Sequence, residues 1–145
     1  MEINENAVLK TSKEVEIQAP VEKVWNIQTN IDALHEWQPD ISSAKLNSRL
    51  EPGTTFVWKS GGFKLTSTIV KVSESNLLGW TGTGLGASAI HIWQFKQMEN
   101  GSTLVRTEES MDSWLVRLLK GMMDQKLNES LDTWLNALKQ TAESR

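Results

Sequence analysis

A chain of 145 residues with 39% hydrophobic and 23% charged residues has the size and composition of one soluble globular domain. Such a chain buries roughly 70% of its unfolded surface. Its net charge of −3 argues against a nucleic-acid partner, which would need a basic face for the phosphates. The absence of cysteine excludes disulfides and thiol catalysis, and two distant histidines without thiols make no zinc site, so neither metal nor cofactor is predicted.

The opening stretch "MEINENAVLK" is polar and acidic and has no apolar core of a signal peptide. No apolar run approaches membrane-spanning length. A cytoplasmic protein without integral membrane contact is therefore expected. Residues 10 to 18 alternate, with Val15 and Ile17 on one face, and predict a first strand. Pro20 then opens "PVEKVWNIQTN", whose Val21, Val24, Trp25 and Ile27 form a helical stripe, since proline suits a helix's first turn. A second short helix, "IDALHEW", should stop at Trp37 because Pro39 disfavours helix in Gln38.

From Ile41 to Ser110 the pattern is strand and turn. Gly61–Gly62 reads as a two-residue hairpin turn, which sets Trp58 opposite Leu65, Phe56 opposite Ser67 and Thr54 opposite Ile69. "SAIHIWQF" places Ala89, His91, Trp93 and Phe95 on one face. A three-residue loop, Glu99–Asn100–Gly101, would pair Met98 with Ser102 and so face His91 with Glu109. A two-residue Asn–Gly turn would instead set Arg106 and Glu108 among the aromatics, so pattern consistency favours the bulged loop. After Asp112, a plausible N-cap, one long helix is predicted from Ser113 to Thr141.

The order β-α-α-β-β-β-β-β-β-α resembles the helix-grip fold of the START-like (SRPBCC) superfamily, in its polyketide cyclase/dehydrase-like branch. The resemblance rests on "EVEIQAPVEKVWNIQTNIDALHEWQPDI" at residues 14 to 41, on "LLGWTGTG", on "HIWQF" before "GSTLVRTEES", and on "LDTWLNALKQTAE". It implies a single α+β START/Bet v 1-like domain over residues 1–145. A curved antiparallel seven-stranded sheet would wrap a long C-terminal helix and leave a cavity between them. Relatives of this kind bind lipids, sterols, polyketides or other apolar molecules, and some catalyse cyclisation. No fixed catalytic motif carries over.

On that reading Phe56, Trp58, Leu65, Trp80, His91, Trp93, Val105 and Glu109 line the concave face. Trp37 sits at the mouth, and Trp114, Leu118 and Met122 come from the helix. The bland alternative is that seven tryptophans simply fill the interior. His91 beside Glu109 could be a general base, or a buried hydrogen bond that satisfies two polar groups. "GTGLGA" at residues 82 to 87 is followed by a strand, so no helix terminus is available to a phosphate. The apolar "WLVRLLKGMM" could cover a cavity entrance or meet a second subunit as a homodimer. Three functions follow: a binding or carrier protein for an apolar small molecule, a cyclase or dehydratase using His91 and Glu109, or a dimeric partner-regulating module.

Overall fold

A computed structural model describes residues 1–84 and 86–145. The strands are β1 (Leu9–Ile17), β2 (Ile41–Leu46), β3 (Thr55–Ser60), β4 (Phe63–Ser73), β5 (Leu77–Gly84), β6 (Ala87–Gln97) and β7 (Thr103–Asp112). Helix α1 (Val21–Thr29) follows β1, and α2 (Trp114–Leu118) and α3 (Lys120–Ser144) end the chain. One antiparallel sheet runs in the order β1-β7-β6-β5-β4-β3-β2. The segment after α1 is a 3₁₀ helix, Ile31–Glu36, where a short α-helix was expected. The stretch "GTGLGA" at residues 82 to 87 includes position 85, which lies outside the described residues.

The hairpin registers follow their turn residues. Gly61 and Gly62 have φ of 58° and 85°, the left-handed pair that a two-residue turn demands. They pair Trp58 with Leu65 and Phe56 with Ser67. At the β6–β7 turn, the Met98 amide donates to Ser102 O at 2.8 Å and Gly101 has φ of 87°. This is the bulged loop, and it sets Phe95 opposite Val105, Trp93 opposite Thr107 and His91 opposite Glu109. Glu16 reinforces the loop by accepting from the Ser102 hydroxyl at 2.6 Å.

The single predicted C-terminal helix is broken. Leu119 has φ of −109° and ψ of 29° and separates α2 from α3. Ser113, rather than Asp112, caps α2, its Oγ accepting from the Val116 amide at 3.1 Å. Asp112 still belongs to β7 and pairs with Arg117.

The first residues cross the convex face of the sheet. The Asn4 amide donates to Ser110 Oγ at 3.0 Å, and the Met1 side chain occupies the space that a side chain at Gly79 would fill. Ile92, the register partner of Gly79, is accordingly buried although it points away from the main core.

Candidate functional site

The concave face has two halves of different character. In the deep half, Phe56 and Trp58 of β3, Trp80 of β5, His91 and Trp93 of β6 and Trp134 of α3 form one aromatic cluster. Trp134 lies 5.8 Å from Trp58 and 5.1 Å from Trp93 between ring centroids, and Phe56 meets Trp80 edge-on at 5.2 Å. All six rings are buried. Val105 lies beneath Phe95 in the same core. The Trp134 indole N–H donates to Gln28 Oε1 at 3.0 Å, and that of Trp58 to Ser67 Oγ at 3.0 Å.

The other half lies toward the tips of the β3–β4 and β5–β6 hairpins, beside the start of α2. Strand alternation continues the concave face there through Gly82, Gly84, Ala87 and Ala89, with Leu65 across from them. These residues are only half-buried, unlike the aromatics. The Leu65 side chain folds over Gly84, close to where a side chain at that position would project. A small second core of Leu9, Val116, Leu127 and Leu131, with Met111 and Met123 packed against it, closes this half from the helix side.

His91 stands at the junction. It stacks on Trp93 at 5.0 Å and touches Trp80 at 4.9 Å. Its Nε2 lies 2.7 Å from the Thr107 hydroxyl. Its Nδ1 is 3.1 Å from Glu109 Oε1, within ion-pair distance but off the line a hydrogen bond needs. The Trp93 indole N–H, fully buried, also has no partner among the described residues. A buried polar atom without a partner costs about 1–3 kcal/mol, so this junction can reward a ligand that supplies a polar atom. Both ring nitrogens of His91 face protein oxygens.

Several expected site residues lie elsewhere. Trp114, Leu118 and Met122 are 74%, 71% and 50% exposed. The break at Leu119 turns them outward and leaves Val116 as the buried side chain of α2. Trp37 is half-buried between two shallow depressions. One, of about 310 Å³, lies among Lys23, Asn26, Ile27, Asn30, Ala33 and Arg145. The other, of about 380 Å³, lies along Pro39, Thr133, Asn136 and Ala137. Neither adjoins His91 or Glu109. Trp134 and Thr107 belong to the site but were not singled out. In the sequence Trp134 is one member of an apolar helical stripe with Leu127, Leu131 and Leu138. Thr107, placed opposite Trp93, is a diagonal neighbour of His91 within reach of its ring. Among the described residues no group of three metal-ligating side chains forms, and no helix is long and apolar enough to cross a membrane.

A seven-stranded antiparallel sheet curled against a long C-terminal helix, with polar groups held among aromatics, defines a helix-grip protein. Residues 8–143 match the family described as "Polyketide cyclase / dehydrase and lipid transport", and the chain belongs to that family. The fold is shared with an aromatase/cyclase from Streptomyces sp. R1128, at 12% identity and a TM-score of 0.82 with 94% of each chain covered. It is also shared with a START superfamily protein from Mycobacterium smegmatis, at 17% identity and a TM-score of 0.78, covering 92% of this chain and 97% of that one. A hypothetical protein from Helicobacter pylori superposes with a TM-score of 0.80 at 19% identity, covering 95% and 90%. No curated protein sequence matches the chain.

Proposed function

We propose that the protein binds an apolar small molecule of lipid, polyketide or aromatic character in the hairpin-tip half of the grip. The observation that carries this reading is the change along the concave face from packed aromatics to half-buried Gly82, Gly84, Ala87 and Ala89. Small side chains at Ala87 and Ala89 leave room where large ones would fill it, while Ser67 Oγ and Leu65 cover Gly82 and Gly84, and the Glu109 carboxylate beside His91 offers a polar anchor. Entry requires α2 to swing outward, and the non-helical Leu119 is a natural pivot for it. Binding is favoured over catalysis because a general base needs a free nitrogen facing its substrate. In His91, Nε2 is taken by the Thr107 hydroxyl, and Nδ1, though without a hydrogen bond, is buried facing the Glu109 carboxylate rather than open space.

Titration with an anilinonaphthalene probe tests this. The wild-type chain should take it up saturably, and Ala89→Leu should weaken uptake by about tenfold or more by filling the small-residue half. Ala137→Leu, beside the Trp37 depression, should leave uptake unchanged. Loss in Ala137→Leu with retention in Ala89→Leu would move the site to Trp37. No saturable uptake would remove the proposal.

A further inference from the structure

Large exposed apolar side chains are concentrated at one end of this molecule. Phe63 is 51% exposed, and Trp114, Leu118, Leu119 and Met122 are 36–74% exposed. The topology brings them together: the β3–β4 turn after Ser60, the end of β5 at Gly84, the start of β6 at Ala87 and the end of β7 at Asp112 all lie at the same end of the sheet. Among the described residues, only Met1 and Val70 of the exposed large apolar side chains lie elsewhere.

The charges at this end oppose the sign of the whole chain. Lys59 and Lys64 sit side by side on the β3–β4 hairpin, and Lys120 and Lys126 begin α3. None of the four has an ion-pair partner among the described residues. Arg117 is paired with Asp112. The carboxylates at this end are Asp124, Asp40, whose carbonyl accepts from the Gly61 amide, Glu109, which faces His91 on the concave side, and Asp112 and Glu5, which are paired with Arg117 and Lys10. A chain of net charge −3 thus presents a cationic rim around its exposed tryptophan, leucines and methionine.

We propose that this end docks on an anionic lipid surface, with Trp114, Leu118 and Met122 entering the interface and the lysines meeting the headgroups. An apolar helical face containing tryptophan, bordered by lysine, buries hydrocarbon area and gains electrostatic attraction at the same time. A second copy of the chain fits less well, because it would bring the same lysines against one another. The inference stands apart from ligand uptake, since it uses outward side chains only.

Vesicle co-sedimentation tests it, using phosphatidylcholine alone and phosphatidylcholine mixed with phosphatidylglycerol. The full chain should sediment with the mixed vesicles and much less with the neutral ones, and added salt should release it. Trp114 is the most exposed tryptophan, so its emission should shift to the blue on binding, and Trp114→Phe should remove most of that shift. Leu118→Asp should reduce binding by about tenfold or more. Lys120→Glu should reduce it by about fivefold or more while keeping uptake of the anilinonaphthalene probe. Circular dichroism checks that each variant is folded. The proposal is overturned if the wild-type chain ignores mixed vesicles or if Leu118→Asp binds them as well as wild type. A dimer in solution that Leu118→Asp dissolves, without vesicle binding, would also overturn it and assign the face to a second copy.

Discussion

Trp134→Ala probes the division of the interior into a packed half and a binding half. Trp134 is 3% exposed and contacts the rings of Trp58, Trp80, His91 and Trp93. Truncating a buried tryptophan to alanine costs about 3–5 kcal/mol. Removing the indole N–H also leaves Gln28 Oε1 buried without its partner, a further cost of about 1–3 kcal/mol. Together these lower the unfolding midpoint by about 8–30 °C, at roughly 2–4 °C per kcal/mol for a domain near this size. The void has the shape of an indole ring, so added indole should fill it and recover part of the lost midpoint. Trp134→Phe separates the two contributions, since it keeps most of the ring contact and loses the hydrogen bond. Adding Gln28→Leu to Trp134→Phe removes the stranded amide and should restore about 1 kcal/mol or more. Thermal and urea unfolding of the three variants and the wild type measure these changes. A loss below about 1 kcal/mol in Trp134→Ala would mean that the cluster is not close-packed, and the division of the concave face would fail.

The Glu16 carboxyl is held below the ordinary glutamate range, first by the Ser102 hydroxyl and next by the Asn100 amide. Its contribution is therefore present above about pH 4.3, the ordinary glutamate value, and is lost as pH falls through the depressed folded value. Glu16→Gln should be less stable than wild type at pH 7, with the gap in urea midpoint narrowing as pH falls below the ordinary glutamate value. A gap that stays constant with pH would contradict this. Val116 is the buried residue of α2, and the burial of a valine is worth about 1.5–3 kcal/mol. If uptake requires α2 to open, Val116→Ala should speed stopped-flow binding of the naphthalene probe severalfold. An unchanged rate would show that the probe enters by another route.

Much of this arrangement is legible in the sequence because turn chemistry fixes strand register. Gly61–Gly62 and Glu99–Asn100–Gly101 each allow one alignment that keeps the aromatics on a common face, and His91 beside Glu109 follows from the second. The chain-end packing on the convex face is not legible in that way. Ile92 is its trace, an apolar residue on a side that otherwise reads as polar, but nothing local says that Met1 and Asn4 will cover it. The break at Leu119 is equally hidden, because "WLVRLLKGMM" is apolar on more than one side and no proline interrupts it. Without the break, Trp114, Leu118 and Met122 would follow the helical stripe inward. With it, Val116 and Met123 face the sheet instead. The small residues at positions 82, 84, 87 and 89 are plain in the sequence, but they draw attention only once the structure sets them on the concave face beyond the aromatic cluster.

The most direct measurement is an amide chemical-shift map of the wild-type chain during titration with the naphthalene probe. Binding in the hairpin-tip half should move the amides of Gly82, Ala89, His91, Glu109 and Met123 in a saturable way, and leave those of Ala33, Asn136 and Ala137 unmoved. Shifts confined to the residues around Trp37, or spread weakly over the surface without saturation, would contradict the account.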